Sequence, residues 1–208
     1  MAAPDPSERA RIVDAASRLL SAGRSLAVTD VLDAAGLSTR AFYRHFESKD
    51  ALLLTLFRRD SERVTARLQA EADAAPTPRE ALVRWIEGTL ALAADPRRRR
   101  RVLAFASEEV TRARGHAAER HRVQEAQTAA LERIIAAGRA DGSFPWAVLP
   151  ADARLLRAAL GDALDQQIRR TAPVSVAEAA ADIADFTLRA LGAQMPEHRG
   201  AAPPRAQG

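Results

Sequence analysis

Between Thr29 and Leu53 the chain reads TDVLDAAGLSTRAFYRHFESKDALL, and five side chains able to hold phosphate or read a base, Arg40, Tyr43, Arg44, His45 and Lys49, fall within ten residues. Arginine forms a bidentate pair with guanine O6 and N7, and a threonine or alanine methyl can meet the methyl of thymine. Tyr43, His45 and Lys49 are better suited to phosphate oxygens. Lys49 also sits near the start of a predicted helix, where free N–H groups and the helix dipole welcome an anion.

Those side chains need elements that aim them. Two short apolar-periodic segments, about Val28–Ala35 and Thr39–Phe46, are joined by Gly36-Leu37-Ser38. A helix-turn-helix needs a residue tolerant of positive φ in its turn, and Gly36 supplies it. Leu37 can pack inward and Ser38 can cap the second helix. Phe42 and Phe46, four residues apart, should face a core beside Val31 and Leu32, which leaves Thr39, Arg40, Tyr43 and Arg44 for a DNA groove. The plainer reading is a helical hairpin inside a core, with Tyr43 and His45 partly buried. Before this pair, Ser7 is predicted to cap a helix whose Ile12, Val13, Ala16, Leu19 and Leu20 share one face, ended by Gly23. After it, Ser48 caps a long helix to about Asp73.

The remainder is punctuated by proline and by capping signals. Thr77-Pro78-Arg79-Glu80 opens a helix to about Ala94, and Asp95-Pro96 opens one to about Arg114, broken by Gly115. A seventh helix runs to about Arg139 and the turn Asp141-Gly142. Pro150 precedes a helix to about Arg170, and Ser175-Val-Ala-Glu178 opens the last, to about Leu191. The predicted fold is all-α, with about nine helices and no convincing strand. Residues 194–208, rich in Pro, Gly and Ala, are expected to form a disordered tail.

Composition excludes several classes. Apolar residues are 47% of the 208 but aromatics only 4%, a helix-forming balance rich in Ala and Leu. With no cysteine there is no disulfide, thiolate metal site or cysteine nucleophile. No Ser/His/Asp grouping or phosphate loop points to an enzyme, no cofactor is expected, and His116 and His121, five apart on a helix, do not make a metal pair. No membrane-length apolar run or secretory leader is seen, so a cytoplasmic protein is expected. The net charge of +4 is no argument for DNA, because residues 1–50 carry seven basic and seven acidic side chains. The local cluster of Arg40, Arg44 and Lys49 is the argument. The run Arg97–Arg101 reads as a solvated face, or as a contact to acidic groups of the first module or to DNA.

AAGLS followed by AFYRHFESKDALL, behind a first helix ending in glycine, resembles the TetR family of transcriptional regulators over about Ile12–Leu56. The sequence departs from the family's pattern at Ala27, Leu32 and Arg24. The resemblance implies that Thr39, Arg40, Ala41 and Arg44 face the groove, that Tyr43, His45 and Lys49 meet phosphate, and that Thr29 touches phosphate or a base. With Ser38 these form the expected DNA-binding set. It also implies a DNA-binding domain over 7–50 and a helical effector-binding and dimerisation domain over 51–193. Two subunits would pair through Pro150–Arg170 and Ser175–Leu191 as a four-helix bundle, with Gly161 allowing close helix approach. Polar residues interrupting apolar stripes, Glu109, Gln127, Gln166 and Gln167, with Phe57, Trp85 and Phe105, are candidates to line an effector pocket. Each polar one can equally be an edge residue or an interhelical hydrogen bond. The function so implied is a repressor released from a palindromic DNA operator by an unknown small-molecule effector. A small helical enzyme and a DNA-independent adaptor are the rivals.

Overall fold

The computed structural model describes residues 6–23 and 26–193; the tail 194–208 and Arg24 lie outside them. Ten helices and no strand occur among the described residues: α1 (Pro6–Ser21), α2 (Val28–Ala35), α3 (Thr39–His45), α4 (Lys49–Asp73), α5 (Pro78–Ala94), α6 (Pro96–Phe105), α7 (Glu108–Thr111), α8 (His116–Ala140), α9 (Ala151–Arg169) and α10 (Val176–Ala190).

Local chemistry sets most helix starts. Ser38, Ser48 and Thr77 each accept a hydrogen bond from the backbone N–H three residues on, at 3.2–3.3 Å. Asp95 accepts from the N–H groups of Arg97 and Arg98, which hold its carboxyl below the usual carboxylate range. Ser175 and Glu178 complete a reciprocal capping box. Ser7 does not cap α1. The helix already begins at Pro6, whose fixed φ suits a first turn, so Ser7 lies inside it.

The expected helix from Asp95 to Arg114 is two helices, α6 and α7, separated at Ala106-Ser107. The reason is non-local. Phe105, Val110 and Ala113 are all buried in one core with α1–α4. On an unbroken helix Val110 would point about 140° away from Phe105, at roughly 100° per residue. The extended backbone of Ser107 turns both inward.

There are two apolar cores. The first joins α1, α2, α3 and the start of α4 (Ile12, Phe42, Phe46, Leu52, Leu56) to α6 and α7. The second is built on Leu82, Trp85 and Ile86 of α5, with Leu68, Leu131, Phe144, Leu156 and Leu188. The 25 residues of α4, about 37 Å long, contribute to both, so α4 is the rigid element they share. In the second core Gly138 is pressed against Phe144, and a Cβ there would run into the phenyl ring. Gly138→Ala is therefore expected to lower stability by about 1–3 kcal/mol through overpacking. Urea denaturation checks this, and an unmoved midpoint would show that the ring can step aside.

Candidate nucleic-acid interface

The helix-turn-helix is α2, a turn and α3. Gly36 takes the left-handed conformation at φ 63°, and the guanidinium of Arg11, reaching from α1, donates to the carbonyls of Ala35 and Gly36 at 2.6 and 3.3 Å. Free carbonyls at the end of α2 are thus met by an arginine 24 residues earlier, a tie with no local signature. At the other end Ala27 provides no side-chain cap. Ser38 then starts α3, and Phe42 is fully buried, with its ring 5.3 Å from Tyr43 and 5.6 Å from Phe46.

That anchoring decides what α3 offers to solvent. Thr39, Arg40 and Tyr43 are exposed, Tyr43 at 61%, and Thr29 and Ser38 are exposed at the starts of α2 and α3. Arg40 makes no hydrogen bond or ion pair with any described residue and is available to a base edge. Arg44 is accessible but paired to Glu8 of α1 at 2.9 Å. Two expected contacts are corrected. Ala41 is buried, with 1% of its surface exposed, so a base cannot reach its methyl. His45 points inward as well: its side chain is only 3% exposed and Nε2 lies 3.1 Å from Glu8, so it braces α3 against α1.

Lys49 opens α4 at the edge of this surface and is ion-paired with Glu109 of α7. Asp50, next to it, accepts the backbone N–H of Arg114 at 3.0 Å. The short α7 and the turn after it are therefore fastened to the first turn of α4. A second fastening comes from α6. Arg101 donates to Ser17 and Ser21 of α1 at 3.1 and 3.0 Å, and its Nε lies 2.5 Å from Asp60 of α4, out of line for a hydrogen bond. Burial raises the Asp60 carboxyl above its ordinary value, with Arg101 opposing that shift. Arg99 donates to the carbonyl of Ile168, near the end of α9. Of the arginine run, Arg97, Arg98 and Arg100 are solvated, and Arg99 and Arg101 join helices.

The residues expected around an effector do not converge. Phe57 and Phe105 meet edge to face at 5.7 Å as part of the first core, and Phe57 also neighbours His116, whose pKa is lowered by burial and then by Arg120. Glu109 serves Lys49. Gln166 donates to Asp162 and Gln167 to the carbonyl of Val174, both near the end of α9. Of the expected residues, Trp85 and Gln127 share a partly open cavity of about 210 Å³, lined by α4, α5, α8 and α9. Its other polar residues, Thr89, Arg120, Gln124 and Arg157, were not singled out from sequence. A signal existed, since 120, 124 and 127 follow helical spacing on one face of α8. Among the described residues no group of three or more His, Cys, Asp or Glu side chains is arranged to hold a metal.

An all-helical chain with an exposed arginine on the second helix of a helix-turn-helix belongs to the DNA-binding class. Residues 12–56 match the family model of bacterial regulatory proteins, tetR family. That match covers the helix-turn-helix module, and the whole chain shares the fold of solved transcriptional regulators. Its fold is similar to a TetR transcriptional regulator from Chloroflexus aurantiacus (22% identity, 86% of this chain and 93% of that one, TM-score 0.68). It is also similar to the fatty acid degradation regulator FadR of Bacillus halodurans (17%, 86% and 97%, 0.67). The transcriptional regulator FadR of Bacillus subtilis, in complex with stearoyl-CoA, is a third likeness (16%, 87% and 98%, 0.66). No curated protein sequence matches the chain. No helix among the described residues is long and apolar enough to cross a membrane.

Proposed function

We propose that the chain is a homodimeric repressor whose grip on a palindromic operator is loosened by a small molecule. The observation that carries this reading is the exposed face of α3, where Thr39, Arg40 and Tyr43 stand clear of a module fixed by Phe42, Gly36 and Ser38. The proposed DNA contacts are Thr29, Ser38, Thr39, Arg40, Tyr43, Arg44 and Lys49, within a DNA-binding unit over 7–50. Arg40 reads a base, and Lys49 and Tyr43 hold phosphate.

Two copies of α3 must lie about 34–36 Å apart, or a multiple of it, to enter successive major grooves on one face of DNA. Pairing through Pro150–Arg170 and Ser175–Leu191 would provide that. Leu155 of α9 and Phe186 of α10 are 69% and 67% exposed, and they flank an apolar groove with Leu156, Ile183 and Ala190. An uncovered apolar face of this kind marks an interaction surface. The cavity beside Trp85 would take the effector, since α4 borders it and also carries Lys49. An effector that prefers the state with displaced α4 needs a differential affinity of about 1–3 kcal/mol to act. The Bacillus subtilis protein is in complex with stearoyl-CoA, which supports a small-molecule ligand for this fold, although 210 Å³ is far too small for that molecule.

Titration of a bound duplex tests the docking. Arg40→Ala is expected to relax preference at one base position by about 1–3 kcal/mol, and Lys49→Ala to weaken all sequences alike and reduce the salt slope by about 1. If neither variant changes affinity, sequence preference or salt dependence, α3 does not enter the groove.

A further inference from the structure

Half-buried arginines in this protein are engaged as a rule. Arg67, Arg84, Arg99 and Arg101 bond carboxylates, carbonyls or hydroxyls, and Arg79 is also engaged. Arg157 of α9 is the exception: half-buried on the wall of the cavity, it makes no hydrogen bond or ion pair with any described residue. Facing the same space from α8 are Arg120, Gln124 and Gln127, none of whose side chains hydrogen-bonds to a described residue. No acidic side chain lines the cavity; the rest of its wall is Trp85, Thr89, glycine and aliphatic residues. Gly161, one turn beyond Arg157, would meet nothing within 4 Å if it carried a Cβ. It borders open space within this single chain.

We infer that this cavity binds a compact organic anion, a carboxylate with a short apolar body, with Arg157 as its principal anchor. A half-buried guanidinium is only partly hydrated, and its planar N–H groups, unused by the protein, match a carboxylate bidentately. Arg120 adds a second positive charge of the same sign, which disfavours cations outright. The amides of Gln124 and Gln127 can donate to further ligand oxygens. Trp85, Leu160 and the other aliphatic lining residues can meet the apolar body. A volume of about 210 Å³ is below the 300–1,000 Å³ of sites for drug-sized ligands, so the body must be small. This inference rests on the effector role proposed for the cavity and names the chemistry of its ligand.

The test uses the full chain with Trp146→Phe, so that Trp85, the other of its two tryptophans, reports alone by fluorescence. The probes are matched in body and differ in head: hexanoate, 1-hexanol and hexylamine, then benzoate, benzyl alcohol and benzylamine, at pH 7. A carboxylate in either set is expected to shift Trp85 emission saturably and raise the thermal midpoint, at least tenfold more tightly than its alcohol or amine counterpart. Arg157→Met, which keeps an apolar stem, should remove that preference. Gly161→Leu should block binding without lowering the unliganded midpoint. Equal or tighter binding of the alcohols or amines overturns the inference and leaves an effector pocket standing. Absence of any saturable change overturns it too, as does carboxylate binding unaffected by Arg157→Met. Carboxylate binding through Arg157 that leaves DNA affinity unchanged upholds the anion site and removes the proposed effector role.

Discussion

Phe42→Ala is expected to cost about 3–5 kcal/mol of stability in the first module, the range for removing a fully buried phenyl side chain. The ring sits at the centre of that module, packed on Phe46 and Tyr43 and sealed by residues of α1 and α4. α3 has seven residues, too few to hold its shape without an anchor. Losing the ring would therefore loosen the same helix that presents Thr39, Arg40 and Tyr43. DNA binding should fall with stability even though no proposed DNA contact has been altered. Equilibrium denaturation followed by duplex titration below the midpoint checks both parts. Full affinity with an unmoved midpoint would mean that α3 is held by something other than its aromatic side chains.

The second large effect concerns Glu119 of α8, a carboxylate only 3% exposed that Arg58 of α4 clasps through two hydrogen bonds of 2.7 and 2.6 Å. Arg122 adds a third at 3.0 Å. The hydrogen bonds from Arg58 hold the Glu119 carboxyl below its ordinary value against the opposing effect of burial. For a carboxyl depressed on folding, the stabilisation is present above the unfolded pKa and is lost as pH falls through the lower folded value. Arg58→Ala leaves the buried charge with only the solvated Arg122. Stability at pH 7 should drop by about 2–3 kcal/mol, because an under-partnered buried carboxylate retains its desolvation penalty. The deficit should shrink on acidification toward about pH 4, where carboxyl groups become protonated. The double variant Arg58→Met with Glu119→Leu should recover most of the loss, as apolar replacement of both partners usually does. A deficit that stays constant with pH would mean that Arg58 acts by packing and not by charge.

Features set by neighbours in sequence were legible from sequence. Gly36 with Ser38, Ser48, Thr77, Asp95 and Ser175 marked helix ends because each works within three residues of itself. The break at Ser107 was hidden, since its cause is a core formed with residues about 50 to 95 positions earlier. On α3 the exposed Arg40 and Tyr43 followed from the Phe42–Phe46 stripe. Ala41 and His45, an i, i+4 pair flanking that stripe, are buried with it, although the chemistry of a methyl and an imidazole, and then the family roles, pointed them toward DNA. Around the cavity, Gln127 broke an apolar face visibly. Arg157 did not, because an arginine on a helix ordinarily reads as surface, and only packing shows that this one lines the cavity.

The most direct test of the central claim is selection of bound fragments from a random duplex library by the intact protein. An enriched inverted repeat, with half-sites centred about one helical turn or a multiple apart and with one position losing its preference in Arg40→Ala, is the result expected of paired α3 readers. Recovery of no sequence above the input, at low salt and without added ligand, would contradict it.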